Sequence, residues 1–469
     1  MPGNSVIERA ASWTTRQIQR RAPKSAPNAF LSGPYAPVGE ERTETELRVT
    51  GALPVELSGL YARIGPNPIE VINPALHHWF TGDGMVHGVR LQEGRAVWYR
   101  NRWVGSSSVT KKLGRPEVPG RRNGVADSVN TNIIRQGGRL WALTEAGVNP
   151  VEMSAELETV RHSYFESDLA RAYSAHPHED LATGELHAVC YDALSATKVH
   201  HVVIDAECRV KRITEIPVKD GPMIHDCAIT ASKLVILDLP VTFSTREFLA
   251  GSSFPYHWNP RHEARVGLMP REAPAADIRW FAVDPCYVFH TCNAYDRADG
   301  SVVLDVVVHE TMFDRSRQGV DSRKITFERW TLDPALGSVK RAVFSDALQE
   351  FPRYDERLSM KPHRYTYSVG FSPETGGEPL LRHDMQTGTT IAHRYGPAKV
   401  GAEAVFVPRS AEAAEDDGWL ISYVYDLREE RSDLVILNAA DLEGPPQAIV
   451  HLPVRVPLGF HGNWIPDQV

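Results

Sequence analysis

The stretch RWTLDPALGSVKRAVFS (329–345) consists of two β-prone runs that flank a Leu-Gly turn. The stretch LLRHDMQTGTTIAHRYG (380–396) repeats this design around a Thr-Gly turn. Glycine readily adopts the positive φ angles that tight turns require, so both stretches are typical of β-hairpins. Three further stretches have the same pattern, and they cover residues 151–165, 202–217 and 435–453.

Single β-prone runs lie between these hairpins, and helical periodicity is almost absent. They are GRLWALTE (138–145), GELHAVCYD (184–192), KLVILDLPV (233–241), SVVLDVVVHE (301–310), RYTYSVGF (364–371) and GWLISYVYD (418–426). Hairpins that recur roughly every fifty to seventy residues are typical of a β-propeller, and seven blades would take roughly 67 residues each. A two-sheet sandwich is the alternative, but it does not explain so many equivalent hairpins. We therefore predict an all-β propeller.

The composition excludes several classes of protein. The 469 residues carry a net charge of −8 and contain no Lys/Arg-rich block, which argues against a nucleic-acid partner. The five cysteines form no CxxC pair, so reduced thiols in a cytoplasm are expected rather than a disulfide framework. No apolar run reaches the length of a membrane span, and the N-terminus lacks the apolar core of a secretory signal. The sequence indicates no obligate protein partner.

Two stretches do not fit the blade pattern. Residues 4–21 place apolar side chains at helical spacing among four arginines, as in a basic amphipathic helix on the inner face of a membrane. A tail packed on the propeller is the alternative. We therefore divide the chain into an N-terminal tail (1–34) with this candidate helix and a single propeller domain (35–469).

The second such stretch, residues 242–258, is rich in aromatic side chains. It would wall an apolar substrate tunnel or dip into lipid, or it would form a loop that covers the core. Its candidate tunnel residues are Phe243, Phe248, Phe254, Tyr256 and Trp258.

Four histidines lie in short, turn-like contexts: SAHPH (His176), MIHDC (His225), VFHTC (His290) and GFHGNW (His461). None has a His or Cys partner at the spacing of a local metal site. Each is expected at the end of a different strand, and a closed radial architecture would bring such ends together. Four neutral imidazoles would form a nitrogen-only site that suits a redox metal such as Fe(II). Context alone does not separate them from four other histidines: His77, His78, His87 and His363.

Three glutamates narrow this choice. Strand alternation puts Glu145 on the face of Trp141 and Leu143, and it puts Glu350 and Glu403 on similar apolar faces. A buried carboxylate is costly unless it is paired, and a metal-bound imidazole with a free ring N–H is a natural partner. Glutamates at strand ends that reach water are the alternative.

The chain resembles the carotenoid cleavage oxygenase family, specifically its bacterial carotenoid and apocarotenoid dioxygenases. The resemblance covers roughly residues 35–466 and rests on long motifs in a fixed order. These motifs are LPVELSGLYARIGPNP (53–68), HHWFTGDGMVHGVRL (77–91), NTN (130–132), LTEAG (143–147), AHPHEDLATGELHA (175–188), MIHDCAIT (223–230), PCYVFHTCNAYD (285–296), EFPR (350–353), EDDGWLISYVYD (415–426) and VPLGFHGNW (456–464).

The resemblance implies a seven-bladed propeller with a helical and loop cap over an axial Fe(II), one per subunit. It implies iron ligands at His176, His225, His290 and His461, with Glu145, Glu350 and Glu403 behind His225, His290 and His461, and it leaves the four other histidines outside the ligand set. It also implies an enzyme that uses O2 to cleave a C=C bond of a lipophilic polyene into two aldehydes or ketones, with no catalytic protein group beyond the metal site.

Three alternatives are kept beside a carotenoid or apocarotenoid substrate. The first is a lignostilbene-type dioxygenase, which would hold a phenol with a Tyr and a Lys. At the aligned positions this chain has Trp103 and Thr144 instead. Trp103 and Thr144 are therefore further candidate tunnel residues. The retinyl-ester isomerohydrolase branch fits less well, because this chain is shorter and its cysteines suggest no palmitoyl anchor. A metal-free propeller that serves as a binding scaffold is the third, although all four His and all three Glu are present.

Overall fold

Seven antiparallel sheets radiate from a common axis in the computed structural model. It describes residues 17–18, 20–21, 27–123, 127–272, 274–371 and 379–467. The fold is therefore an all-β, seven-bladed propeller, as predicted. In chain order, the strands of the described residues are Arg42–Glu44 (β1), Arg48–Gly51 (β2), Gly59–Pro66 (β3), Gly84–Gln92 (β4), Arg95–Trp103 (β5), Asn132–Gln136 (β6), Arg139–Leu143 (β7), Val151–Met153 (β8), Thr159–His162 (β9), His178–Asp180 (β10), Glu185–Cys190 (β11), Lys198–Ile204 (β12), Val210–Pro217 (β13), Cys227–Ile229 (β14), Lys233–Asp238 (β15), Val241–Phe243 (β16), Tyr256–Trp258 (β17), Arg265–Pro270 (β18), Arg279–Ala282 (β19), Thr291–Asp296 (β20), Val302–His309 (β21), Ile325–Asp333 (β22), Ser338–Ser345 (β23), Gln349–Tyr354 (β24), Tyr365–Gly370 (β25), Leu380–Asp384 (β26), Thr389–His393 (β27), Lys399–Gly401 (β28), Val405–Pro408 (β29), Gly418–Asp426 (β30), Arg431–Asn438 (β31), Ala448–His451 (β32) and Gly462–Pro466 (β33).

Each blade begins at the axis and runs outwards. Blade 1 has the order β33-β3-β4-β5-β1, and blades 2, 3, 5 and 6 are the simple meanders β6 to β9, β10 to β13, β20 to β23 and β24 to β27. Blade 4 is β14-β15-β18-β19, and blade 7 is β30-β31-β32-β2 with β28 and β29 both paired to β30. The five hairpins expected from the sequence are the third and fourth strands of blades 2, 3, 5, 6 and 7.

Burial explains why the sequence pattern revealed the outer hairpins rather than the inner strands. In blade 5 every residue of β21 is buried and most are apolar, whereas the edge strand β23 has only exposed and half-buried residues. The outer hairpin of blade 4, β18 and β19, was not identified from the sequence. In that blade the segment 241–258 leaves after β15 and interrupts the meander.

The ring is closed by both ends of the chain. The C-terminal strand β33 pairs with β3 in blade 1, and the N-terminal strand β2 pairs with β32 in blade 7. Next to this closure, Gly65 and Gly459 approach so closely that a Cβ on Gly459 would lie 2.8 Å from the Gly65 Cα atom. The two motifs that contain these glycines are therefore held in direct backbone contact.

Helical elements are short and lie outside the blades. The α-helices of the described residues that the structure bounds are Ser107–Leu113 (α1) and Thr245–Leu249 (α2), and the 3-10 helices are Ala29–Leu31, Gly33–Tyr35, Pro74–Leu76, Trp79–Thr81, Ala275–Asp277 and Glu356–Leu358. None of the helices in the described part of the chain is long and apolar enough to cross a membrane.

The aromatic segment 242–258 forms the small sheet β16–β17 around helix α2. Most of the predicted amphipathic helix (4–21) lies outside the described residues. Residues 17–18 and 20–21 are helical, and a Cβ on Gly251 would lie 2.8 Å from Cγ2 of Ile18. This part of the tail therefore lies against the aromatic segment.

Substitution of Gly459 tests the closure. In Gly459→Ala the new methyl group meets backbone atoms that cannot rotate away, and overpacking of this kind typically costs about 1–3 kcal/mol. We expect a lowered melting temperature by calorimetry. Gly39→Ala is the matched control, because a Cβ there has no atom within 4 Å and should leave the melting temperature unchanged. Equal melting temperatures for both variants and the wild type would contradict the closure argument.

Candidate metal centre

Every blade contributes one side chain to a cluster on the axis. His461, His176, His225 and His290 each lie one or two residues before the innermost strand of blades 1, 3, 4 and 5. Glu145 follows β7 in blade 2, Glu350 lies in β24 of blade 6, and Glu403 lies between β28 and β29 in blade 7. All seven side chains are buried, with 1–11% of each exposed.

The four histidines, called here the histidine cluster, pack ring against ring. The His176 ring centroid lies 4.4 Å from that of His225, 5.1 Å from His290 and 4.7 Å from His461. The Nε2 atoms of His290 and His461 are 3.1 Å apart. One nitrogen from each of His176, His290 and His461 lies within 4.8 Å of the others, so these three could hold one metal ion.

Each glutamate contacts the Nδ1 atom of one histidine. Glu145 Oε1 lies 2.8 Å from His225 Nδ1, Glu350 Oε2 lies 2.5 Å from His290 Nδ1, and Glu403 Oε1 lies 2.9 Å from His461 Nδ1. The fourth imidazole is different. His176 Nε2 lies 3.3 Å from Glu145 Oε1, but it lacks the alignment of a hydrogen bond.

The carboxylates are ionised in spite of their burial. Burial by itself raises the pKa of Glu145, but His225 and His176 hold that pKa down at about 2. Burial likewise raises the pKa of Glu403, which His461 and Arg353 hold at about 2. Burial lowers the pKa of His176 to about 3, so that imidazole is neutral at physiological pH.

These protonation states favour a metal. An ionised carboxylate only accepts hydrogen bonds, so the Nδ1 atoms of His225, His290 and His461 carry the protons. In neutral imidazoles the Nε2 atoms then present lone pairs. The Nε2 atoms of His290 and His461, 3.1 Å apart, therefore need either a second proton shared between the rings or a cation bound between them. The donor set is nitrogen-only and backed by anions, which fits a divalent transition metal.

Further residues hold the carboxylates, and the sequence pattern did not reveal them. Tyr191 donates a 2.6 Å hydrogen bond to Glu145, and His309 Nε2 lies 2.7 Å from Glu350 Oε1. Arg353 Nη1 lies 3.3 Å from Glu403 Oε1, and Gly462 N donates to the other oxygen at 2.8 Å. Arg353 lies in the motif EFPR, where its charge close to Glu350 was a usable signal.

The backbone is strained beside two of the glutamates. Phe351 and Ala146 have φ angles of 57° and 61°, which side chains other than glycine rarely adopt. At Phe351 this conformation lets the amide donate to Glu350 Oε2 at 2.6 Å and stacks the ring on His290, with centroids 5.2 Å apart. The strained turn therefore fixes both the carboxylate and one face of the histidine cluster.

A cavity of about 1120 Å³, called here the central cavity, adjoins the cluster. His225, His290 and His461 line it together with the three glutamates, and most of its remaining wall is aromatic or aliphatic. Five residues suggested for a tunnel are in this wall: Thr144, Phe243, Phe248, Phe254 and Tyr256.

Two residues suggested for the tunnel are placed elsewhere. Trp103 is buried in blade 1, where its indole N–H donates to Asn67 O at 2.9 Å, and Trp258 packs on the core of blade 4. Both are apolar strand residues whose direction depends on register, which the sequence does not reveal. Of the four other histidines, His77 lines the cavity, whereas His78, His87 and His363 are buried outside its wall.

Comparison with known proteins places this geometry in a family. The sequence model described as retinal pigment epithelial membrane protein (RPE65) matches residues 35–466. A carotenoid cleavage oxygenase of Mycobacterium tuberculosis is 41% identical over 492 aligned positions, which cover 94% of this chain and 98% of that protein.

Two solved structures have the same fold over nearly their whole length. The lignostilbene dioxygenase of Pseudomonas brassicacearum has a TM-score of 0.83 and 27% identity, covering 95% of this chain and all of that one. A cobalt-substituted Synechocystis apocarotenoid oxygenase has a TM-score of 0.81 and 26% identity, covering 96% of this chain and 99% of that one. The axial cluster, the propeller and these matches together show that the chain belongs to the RPE65/carotenoid cleavage oxygenase family.

Proposed function

We propose that this protein is a non-haem Fe(II) dioxygenase that cleaves a C=C bond of a carotenoid or apocarotenoid with O2 into two aldehydes or ketones. The observation that carries this proposal is the histidine cluster, backed by three ionised glutamates and open to a large apolar cavity. An ordinary structural polar cluster would not leave ring nitrogens facing one another at the wall of such a cavity.

His176, His225, His290 and His461 would hold the iron through one ring nitrogen each. Bound Fe(II) would supply the activation of O2 beside the alkene. Glu145, Glu350 and Glu403 orient three of the imidazoles and fix their tautomers, and their negative charge offsets that of the cation. Addition of both atoms of O2 across the cleaved C=C bond needs no net proton transfer, so no protein nucleophile or general base is required.

The size and the wall of the central cavity support a polyene as the substrate. Its volume of about 1120 Å³ exceeds the usual range of small-molecule sites, which is roughly 300–1000 Å³. Phe80, Phe254, Phe289 and Phe351 are among the aromatic rings of its wall. Such a wall binds a long polyene, excludes water from it and aligns one double bond with the histidine cluster.

A lignostilbene-type activity is the second candidate, supported by the likeness to the Pseudomonas brassicacearum enzyme. The lignostilbene type is expected to hold and ionise its phenol with a Tyr and a Lys near the reacting bond. No lysine is among the described lining residues of the central cavity. The residue aligned with the Lys, Thr144, instead lies 3.1 Å from the Thr131 hydroxyl. These contacts favour the polyene.

We propose a cytoplasmic location with peripheral contact to the membrane that stores the polyene. Leu194 and Val320 line the central cavity and are 67% and 41% exposed. Leu249, next to the lining residue Phe248, is 69% exposed. An apolar rim at a cavity mouth would let a lipophilic substrate pass directly from lipid.

The metal is tested by iron analysis of purified variants. We expect one iron per chain in the wild type and strong depletion in His225→Ala and His461→Ala. Glu350→Gln should keep the shape but lower iron affinity or activity about 10–100-fold, because the carboxylate no longer polarises His290. His363→Ala and Glu328→Gln, which change buried residues outside the cluster, are the matched controls. Full iron occupancy in both His variants would mean that the ligands are elsewhere, and iron-free wild-type protein would favour a binding scaffold.

The substrate class is tested with a panel under aerobic conditions. The iron-loaded protein is incubated with β-carotene, an apocarotenal, a hydroxylated carotenoid and a 4-hydroxystilbene, and the products are identified by mass. We expect cleavage of a polyene, with oxygen from 18O2 in the carbonyl products, and poor turnover of the stilbene. Faster turnover of the stilbene than of every polyene would reverse this assignment and leave the iron site standing.

Membrane contact is tested by liposome sedimentation. Deletion of residues 1–24, or the double change Phe248→Ser with Leu249→Ser, should reduce liposome binding more than activity on detergent-dispersed substrate. The matched control is Leu336→Ser with Val343→Ser, which removes exposed apolar side chains from the outer hairpin of blade 5. Equal sedimentation of all these proteins would remove the membrane proposal.

A further inference from the structure

A buried arginine in the wall of the central cavity contacts no anionic side chain of the described residues. Arg63 lies in β3 and is only 3% exposed, yet no carboxylate of a described residue lies within 4 Å of its guanidinium group. Its Nε donates to Phe460 O at 3.1 Å, and its buried Nη1 atom has no hydrogen-bond partner among the described residues. An isolated buried charge is costly, so a second group is expected to pair with it.

A second unpaired donor lies beside the same residue, Phe460. The Trp79 side chain is 9% exposed and lines the cavity, and its indole Nε1 has no partner among the described residues. Its ring contacts that of Phe460 at a centroid distance of 4.8 Å. Arg63 and Trp79 therefore both line the cavity and both border Phe460, and both groups only donate hydrogen bonds. A bound ligand with acceptor atoms would satisfy both.

The balance of charge favours an anionic ligand over a neutral one. In the proposed holoenzyme, a divalent metal and Arg353 offset the charges of Glu145, Glu350 and Glu403. Arg353 contacts Glu403, whereas Arg63 does not. Glu403 acts on Arg63 only over a longer distance, so no carboxylate of the described residues contacts the guanidinium when the cavity holds only hydrocarbon.

We infer that Arg63 and Trp79 form a subsite that binds the carboxylate end of an apocarotenoid, an inference that rests on the proposed function. The planar guanidinium matches a carboxylate in two parallel hydrogen bonds, and the indole N–H adds a third donor. Because Phe460 immediately precedes His461, the anchored end lies beside the histidine cluster. The subsite would therefore set which double bond reaches the metal, in addition to adding affinity.

Binding without turnover tests the subsite. All-trans-retinoic acid, its methyl ester and retinol are bound to iron-free and to anaerobic iron-loaded protein at neutral pH, and bound polyene is measured by absorbance after equilibrium filtration. We expect the wild type to bind the acid about 10–100-fold more tightly than the ester, as expected for hydrogen bonds to a charged group. Trp79→Phe, which keeps the ring and removes the N–H, should reduce this preference several-fold.

The arginine variants separate charge from packing. Arg63→Met should abolish the preference for the acid while leaving ester affinity unchanged, and Arg63→Lys should retain part of the preference. Unchanged ester binding shows that the cavity has kept its shape. Arg100→Met is the matched control, because Arg100 packs over Trp98 on the outer part of blade 1 and should behave as wild type.

Two results would overturn the subsite: equal affinities of the wild type for acid and ester, or an undiminished preference in Arg63→Met. Failure of the proposed function gives a different result. If the acid preference holds but no panel polyene is cleaved, the enzyme assignment fails and the subsite stands. If polyenes are cleaved without any acid preference, the subsite alone fails.

Discussion

The pairing of buried glutamates with imidazoles on the propeller axis is the interaction on which the rest of the site depends. Three carboxylates lie in the interior, where an uncompensated charge costs several kcal/mol. Each is stabilised by an Nδ1–H donor, and this bond leaves the opposite nitrogen of the ring free to face the axis. The same hydrogen bonds therefore stabilise the buried carboxylates and orient the imidazoles as a metal site would require.

The propeller makes this arrangement possible because each blade delivers one side chain to the axis. The partners come from blades that are distant in sequence: Glu145 and His225 are 80 residues apart, and Glu350 and His290 are 60. Closure by β33 and β2 fixes the position of His461 relative to the rest. The close contact of Gly65 with Gly459 explains why small residues stand at the seam. Strain at Phe351 and Ala146 is tolerated because it aims the carboxylates.

The central cavity combines an apolar wall with very few unsatisfied polar groups. Apolar surface binds a polyene without distinguishing one double bond from the next, so the position of the substrate depends on the shape of the cavity and on polar contacts at its ends. Arg63 and Trp79 are such contacts. Exposed apolar side chains, including those of Leu194 and Val320, also line this cavity. One cavity thus contains exposed apolar side chains, the unpaired donors of Arg63 and Trp79, and the histidine cluster.

The sequence by itself predicted the all-β propeller, because hairpin turns and strand alternation are local properties of the chain. It also pointed to His176, His225, His290 and His461 and to the three glutamates, since their turn contexts and apolar faces are visible in short windows and the family motifs separate them from His77, His78, His87 and His363. It did not predict Tyr191 or His309 beside the carboxylates, the position of Trp103 outside the cavity, or the unpaired Arg63 within it. Those features depend on strand register and on contacts between blades far apart in the chain, and such contacts are decided only when the ring closes.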